Sequence, residues 1–221
     1  MARKASTRSD DLAATKRSED ELPPDLLADI PSTAARRLIV AAVAEFSARG
    51  YHATTTRQIS IRAGMSPAAM YVHYASKEEM LYDASTIAHA AAFRAVSQPA
   101  PEDLTPSARL RFLVRRLTLW HAEHPSLARI AQYDLGGLSP EHHAEIATIR
   151  RRTERIFRNA VEDGLTTGAF QATDVNAAVR AVMSMIIDVA RWFRKDGPTD
   201  ATTLATWYGD LAVRMLAGND P

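Results

Sequence analysis

From residue 32 onward, apolar side chains recur at the spacing of an α-helix. In the first such segment they occupy positions i, i+3, i+4, i+7, i+8 and i+11, which are Ala35, Leu38, Ile39, Ala42, Val43 and Phe46. Gly50 ends this segment, as glycine commonly does after a helix. No stretch alternates between apolar and polar residues in the way that a half-buried strand requires. The pattern predicts an all-α protein of about nine helices.

Side chains that cap helix N-termini mark where the predicted helices begin. Thr55 precedes Gln58 by three residues, and Ser76 precedes Glu79 likewise, which is the spacing of a capping box. The caps with proline at the first helical position are Ser66-Pro67, Thr105-Pro106 and Ser139-Pro140, and the remaining caps are Asp174 and Asp200. We expect breaks at residues 124–125, 136–137, 164, 168 and 196–198.

The chain divides into three segments. Residues 1–31 are polar, mixed in charge and without periodicity, which is typical of a flexible tail. Residues 32–78 contain three short helices, and a tight turn at Gly64-Met65 separates the last two. That arrangement is a helix-turn-helix, whose second helix enters the major groove of DNA. Residues 79–221 then form a larger helical domain.

Positive charge is concentrated in the helix-turn-helix segment. Residues 32–77 hold six Lys or Arg side chains against the carboxylate of Glu45 alone, although the whole chain has a net charge of +1. Such a patch favours a polyanion partner, and a basic surface without a partner is the alternative. The chain has no cysteine, which excludes disulfides and thiolate chemistry. Neither a signal-peptide core nor a membrane-length apolar segment is present, so we expect a cytoplasmic protein without a membrane partner.

Residues 36–81, RRLIVAAVAEFSARGYHATTTRQISIRAGMSPAAMYVHYASKEEML, resemble the N-terminal domain of the TetR family of transcriptional regulators. The shared signature is the ordered series A…F…GY…TT…I…AG.S…Y.H…SKE, which spans nearly the whole DNA-binding domain. Ser60 departs from the family, which usually has alanine there, and we expect the small serine to pack equally well. The resemblance implies a homodimer that binds double-stranded DNA and responds to a small molecule.

The resemblance also implies roles for individual residues. Thr56 matches a phosphate-contacting position, and Arg57 matches a position that reaches a base, with guanine as its bidentate partner. Pro67, Ala68 and Ala69 match groove-facing positions, although the two alanines as helix filler are the alternative, and Val72 faces either the groove or the core. The complete predicted set of DNA contacts is Thr55, Thr56, Arg57, Ser66, Pro67, Ala68, Ala69, Tyr71, His73 and Lys77.

Two helices near the C-terminus carry more apolar surface than one packed face requires. The stripe that runs from Val175 to Phe193 is widened by Met185 and Trp192, and the last helix adds a second stripe. We predict that these helices form a four-helix interface with their symmetry mates, and an ordinary monomer core is the alternative. The predicted interface residues are Val182, Met185, Ile186, Val189, Trp192, Phe193, Trp207, Leu211 and Met215.

An effector pocket is predicted beside the helix that starts after Thr105. His121 continues an apolar face of that helix, which is typical of a pocket lining, and a histidine satisfied within the core is the alternative. The predicted lining is Trp120, His121, Tyr133, Arg152, Phe157, Met183 and Trp192. The histidine pairs at 121/124 and 142/143 lack further ligands, so we expect neither a metal nor a cofactor.

The arginine-rich run IRRRTERIFR, residues 149–158, suggests a ligand class. Some TetR-family regulators sense acyl-coenzyme A thioesters, whose phosphates would suit Arg150 and Arg152 at the border of the apolar face. A solvated face with a Glu154–Arg158 pair is the alternative. The sequence thus indicates a repressor that binds a palindromic operator as a dimer and is released by a small apolar effector, an acyl-coenzyme A or a lipid-like acid. An activator or architectural protein without an effector is the alternative, and no nucleophile–base pair or cofactor loop favours an enzyme.

Overall fold

The computed structural model describes residues 22–133, 135–172 and 174–217. Those residues form nine α-helices, two short 3-10 helices and no strand, which confirms the all-α prediction. The α-helices are α1 (Thr33–Arg49), α2 (Thr56–Arg62), α3 (Pro67–Tyr71), α4 (Lys77–Ser97), α5 (Pro106–Glu123), α6 (Pro125–Tyr133), α7 (Pro140–Thr166), α8 (Val175–Trp192) and α9 (Ala201–Leu216). The 3-10 helices are Pro24–Leu27 and Leu135–Gly137.

Each predicted cap side chain accepts a hydrogen bond from a backbone N–H of its helix. The capping box at Thr55 is complete, since its Oγ1 accepts from Gln58 N at 3.3 Å and its own N–H donates to Gln58 Oε1 at 2.8 Å. The capping box at Ser76 is incomplete, because the Ser76 side chain caps the helix but Glu79 does not accept a hydrogen bond from the backbone N–H of Ser76. Glu79 accepts from the N–H of Ala75, one residue before the cap, at 2.8 Å.

The predicted break at Gly164 is wrong, because α7 continues to Thr166. Gly164 is buried, and a Cβ placed there would overlap the ring of Phe170, which folds back onto the helix. The glycine therefore makes room for a close contact inside a helix, at a cost in helix propensity of about 1 kcal/mol relative to alanine.

Part of the predicted flexible tail is packed against the helices that follow it. Leu27 and Ile30 are each 7% exposed and belong to the main apolar cluster. Arg36 Nε donates to the carbonyl oxygen of Ile30 at 2.9 Å, which fixes the segment to α1. The prediction of flexibility is thus wrong for residues 22–31, and residues 1–21 lie outside the described part of the chain.

The long helix α4 joins the N-terminal helices to the rest of the molecule. It begins at Lys77, crosses the predicted domain boundary at residue 78, and packs against α1, α5, α6 and α7. Helix α5 lies centrally and packs against α8 and α9. Apolar residues from α1 to α9 form one contiguous cluster, so the two predicted domains share a core. None of the described helices is long and apolar enough to cross a membrane.

Candidate DNA-binding surface and effector cavity

Helix α3 is anchored on one side and open on the other. Met70 is fully buried, and the buried Tyr74 just beyond the helix donates its hydroxyl hydrogen bond to Asp83 at 2.8 Å. Ser66 accepts from Ala69 N at 3.1 Å and so begins the helix. Among the predicted DNA contacts on this element, Pro67, Ala68, Tyr71 and His73 are exposed and Ala69 is partly exposed. Val72 is 80% exposed, so it does not belong to the core.

Most of the basic side chains in the N-terminal helices are held within the protein. Arg37 donates to the carbonyl oxygen of Ala63 beside the Gly64 turn, where φ is +66°. Arg62 pairs with Glu45 at 2.8 Å and ties α2 to α1. The exposed Arg57, on the first turn of α2, makes no hydrogen bond or ion pair with any residue that the structure describes. Its guanidinium is therefore available to a partner outside the chain.

Lys77 organises the loop in front of α2. Its Nζ donates to the carbonyl oxygens of Tyr51 and Thr54, at 2.7 Å each, and lies 4.1 Å from the centre of the Tyr51 ring. Thr55 and Thr56, which follow that loop, thus have their position set from the start of α4. The predicted phosphate contact of Lys77 stays a prediction, since in this structure its ammonium group is engaged by the loop.

Ser60 packs as expected for a small residue. It is fully buried, and its Oγ donates to the carbonyl oxygen of Thr56 at 2.8 Å, so the extra hydroxyl is satisfied within its own helix.

A cavity of about 330 Å³ lies between helices of the C-terminal part. Helices α4, α5, α6, α7 and α8 all contribute to its wall. The lining consists of Ala88, His89, Ala92, Leu117, Trp120, His121, Ala131, Gln132, Arg150, Thr153, Glu154, Asn176, Val179, Arg180, Met183, Ser184 and Ile187.

Three of the predicted pocket residues, Trp120, His121 and Met183, line this cavity. The other predictions are corrected. Phe157 is fully buried in the core, and Trp192 is 44% exposed on the outer surface. Arg152 is exposed and lies over the ring of Phe93 at 4.4 Å. The side chain of Tyr133 lies outside the described part of the structure.

Both histidines of the cavity wall are neutral at physiological pH. Burial lowers the pKa of His121 to about 4, against a hydrogen bond between its Nδ1 and the carbonyl oxygen of Leu117 at 2.8 Å. Burial, and then the charge of Arg150, lower the pKa of His89 to about 4, against a hydrogen bond with the backbone of Ala131. Burial also lowers the pKa of Arg150 itself.

Sequence reasoning missed His89 and chose the wrong arginine. Arg150 is in register with the buried residues Ile146, Thr153 and Phe157 of α7, whereas Arg152 is not. The face of α7 that the other helices bury therefore selects Arg150. His89 sits in a run of alanines on α4, with no local signal of a cavity, because the opposite wall comes from helices distant in sequence. Among the described residues, no cluster of three His, Asp or Glu side chains could hold a metal ion.

The predicted dimer interface is partly wrong. Val182, Ile186 and Val189 are fully buried within the protomer, and Phe193 is 5% exposed, because the apolar stripe of α8 packs against α5, α6 and α7. Met185 is partly buried. The predicted interface residues that remain exposed on α8 and α9 are Trp192 at 44%, Trp207 at 56%, Leu211 at 40% and Met215 at 45%.

Both parts of the chain match families of known proteins. Residues 38–84 match the family model of bacterial regulatory proteins, tetR family, and residues 103–216 match the tetracyclin repressor-like C-terminal domain. The crystal structure of a bacterial regulatory protein in the tetR family from Rhodococcus RHA1 is 42% identical, with a TM-score of 0.80, over 86% of this chain and 100% of that chain.

Two further proteins are similar over most of their length. The HTH-type transcriptional repressor KstR2 of Rhodococcus jostii (strain RHA1) is 26% identical over 176 residues, which are 78% of this chain and 85% of KstR2. The structure of AibR in complex with isovaleryl coenzyme A and operator DNA is 20% identical, with a TM-score of 0.71, over 82% of this chain and 97% of AibR. At that identity, the likeness to AibR shows the fold alone.

Proposed function

Because this chain belongs to the TetR family of bacterial transcriptional regulators, a family of DNA-binding proteins rather than enzymes, we propose that it is a repressor which binds a palindromic operator as a dimer and is released by a small effector. Its likeness to KstR2, which is named a repressor, supports repression over activation. The cavity between the helices, which a purely architectural protein would not need, supports an effector.

The guanidinium of Arg57 is exposed and makes no hydrogen bond or ion pair with any residue that the structure describes. This observation supports a role for Arg57 in DNA binding. Arg57 extends from the first turn of α2, and the small residues at the start of α3 are also exposed or partly exposed. Small side chains let a backbone approach the base edges, and an arginine can form two hydrogen bonds with guanine. Tyr71 at the end of α3 and His73 just beyond it are exposed, which supports a role in phosphate contacts.

Substitution of Arg57 should separate base recognition from phosphate binding. On a palindromic site selected from random DNA, Arg57→Ala should cost roughly 1–3 kcal/mol and relax the preference at one base pair per half-site. Tyr71→Phe should instead weaken binding to selected and random DNA alike, because phosphates carry no sequence. Titrations of both variants against both DNAs, at fixed salt, make the comparison. Equal weakening on all sequences by Arg57→Ala would make it a phosphate contact.

The effector that fits the cavity is small, with an apolar part and an anionic or thioester head. Aliphatic side chains and Trp120 supply nearly half of the lining residues, and Arg150 and Arg180 supply positive charge. A volume of about 330 Å³ is near the lower end of ligand pockets. AibR carries isovaleryl coenzyme A on the same fold, so an acyl group bound inside, with its carrier outside, is compatible with the architecture.

Trp120 and Phe157 form a matched pair for testing the effector role of the cavity. Phe157→Ala should lower the free energy of unfolding by roughly 3–5 kcal/mol, as for a core aromatic, and leave effector affinity per folded protein unchanged. Trp120→Ala should still bind the operator but fail to release it on addition of the molecule that native mass spectrometry finds on the purified protein. Thermal unfolding and operator release are measured on both. A Trp120→Ala protein with normal release would remove this cavity from the mechanism.

A further inference from the structure

The polar atoms at the wall of the cavity are not satisfied by the protein. His89 Nε2 and Trp120 Nε1 are buried, and neither has a hydrogen-bond partner among the residues that the structure describes. Both side chains line the same cavity. Buried polar atoms are normally paired, so an unpaired donor and an unpaired acceptor in one cavity wall are typical of a site whose partner is a ligand.

The tautomers of the two histidines follow from their hydrogen bonds. His121 directs its Nδ1 at the carbonyl oxygen of Leu117, at 2.8 Å, and so donates a proton there. A hydrogen bond with the backbone of Ala131 favours the charged form of His89. His89 therefore also donates a proton to a carbonyl oxygen. A neutral imidazole with a proton on Nδ1 has a lone pair on Nε2. Each histidine thus has an acceptor, and no second donor, left for a ligand.

Arg150 and Arg180 are the arginines of the cavity lining, and Glu154 is its carboxylate. Arg150 is exposed, and its guanidinium makes no hydrogen bond or ion pair with the described residues, although Glu154 lies one turn along the same helix. The positive charge of Arg150 lowers the pKa of His89, so the guanidinium lies near that imidazole ring. A guanidinium without a hydrogen-bonded carboxylate favours an anionic ligand group, since charge-assisted hydrogen bonds are stronger than neutral ones.

We propose that the effector is a hydroxylated organic acid whose hydroxyl group bridges His89 and Trp120 while its anionic group pairs with Arg150. The hydroxyl donates to an imidazole Nε2 and accepts from the indole N–H, so a single group satisfies both kinds of unpaired atom. The aliphatic chain fills the apolar part of the wall. This inference rests on the proposed function, because it takes the cavity to be the effector site.

Neither a simple fatty acid nor a hydrocarbon matches this wall. A carboxylate is an acceptor only, and it cannot satisfy a histidine that is itself an acceptor. An effector without a hydroxyl would leave His89 Nε2 buried and unpaired. From the usual cost of such groups, we expect a hydroxyl to improve affinity roughly ten- to a hundred-fold.

Three probes of equal chain length separate the two contacts. 3-Hydroxyoctanoate carries both groups, octanoate lacks the hydroxyl, and methyl 3-hydroxyoctanoate lacks the charge. Calorimetric titration of the full chain should rank 3-hydroxyoctanoate first, with octanoate weaker by roughly ten- to a hundred-fold. 3-Hydroxyoctanoyl-coenzyme A is the fourth probe, and tighter binding than the free acid would assign the contact of Arg150 to a phosphate group.

Variants assign each contact to its residue. In His89→Phe the advantage of the hydroxyl should vanish, and in Trp120→Phe it should shrink, with thermal unfolding used to check that each variant is folded. Arg150→Gln should abolish the preference for the acid over its ester. Arg152→Gln, two residues away on the same helix but outside the cavity, should preserve that preference.

The inference is overturned if octanoate and 3-hydroxyoctanoate bind equally, if the hydroxyl advantage survives in His89→Phe, or if none of the probes binds at millimolar concentration. Failure of the proposed function has a different outcome. In that case 3-hydroxyoctanoate binds with the expected ranking but does not release the protein from its selected DNA site.

Discussion

Two buried histidines connect the stability of this protein to pH. The pKa values of His89 and His121 are about 4 in the folded protein, whereas an unfolded histidine titrates near 6.5. Between those values the unfolded state binds more protons, so the stabilisation is complete above pH 6.5 and is lost as the pH falls. Each histidine should remove about 1.4 kcal/mol of unfolding free energy per pH unit within that window.

Urea titrations between pH 6.5 and 5, above the range where most carboxylates titrate, measure this dependence. His121→Gln should reduce the slope by up to about 1.4 kcal/mol per pH unit, whatever it does to the absolute stability, because one linked group is then absent. His89 and His124, whose pKa values burial also lowers, continue to contribute. A slope that is the same in wild type and variant would mean that His121 is protonated in the folded state.

Some residues of the candidate site could be predicted from the sequence, and others could not. Arg57 could be assigned from the sequence because its position in an ordered motif sets its place on α2. Arg150 and Arg152 differ only in register, and the choice depends on which face of α7 is covered, a property of the assembled helices. His89 could not be found, because its partners Ala131 and Arg150 come from helices distant in the chain.

Helix starts are more predictable than helix ends or helix faces. A cap such as Ser66 followed by Pro67 acts within three residues, so its outcome is encoded locally. The break expected at Gly164 was wrong because the contact with Phe170, folded back from beyond the helix, determines that glycine. The stripe on α8 was assigned to a partner chain, yet helices of the same chain cover it. Apolar periodicity predicts that a face is buried and does not tell what buries it.

The uncovered apolar surface of α8 and α9 predicts how two protomers of the proposed dimer meet. Leu211→Asp should convert the dimer to a monomer, because a charge buried in a four-helix interface has no partner there. Thr202→Asp is the matched control, since residue 202 is exposed on nearly the opposite side of α9. Sedimentation at micromolar concentration distinguishes the two species. If Leu211→Asp remained dimeric, or wild type were monomeric, the protomers would have to meet elsewhere or not at all.

At the scale of the whole molecule, the cavity is joined to the DNA-binding surface through the segment that leads into α7. The backbone N–H of Ser139 donates to Glu78 Oε1 at 2.8 Å, and His142 Nδ1 lies 2.8 Å from the same oxygen. Gly137 lies directly against the ring of Tyr51. Tyr51 in turn is held by Lys77, which also sets the loop before α2. A shift of α7 caused by an effector would therefore reach the loop that positions Thr55, Thr56 and Arg57.

Two adjacent glycines test this connection. A Cβ at Gly137 would overlap the Tyr51 ring, whereas a Cβ at Gly136 meets nothing within 4 Å. Gly137→Ala should therefore displace Tyr51 and the loop behind it, and we expect operator affinity to fall about ten-fold, with overpacking costing roughly 1–3 kcal/mol of stability. Gly136→Ala should leave both quantities near wild type. DNA titration and urea unfolding of the two variants make the comparison. If Gly137→Ala lost stability but bound the operator like Gly136→Ala, the contact would be part of the core and would not carry the signal from the cavity to the DNA.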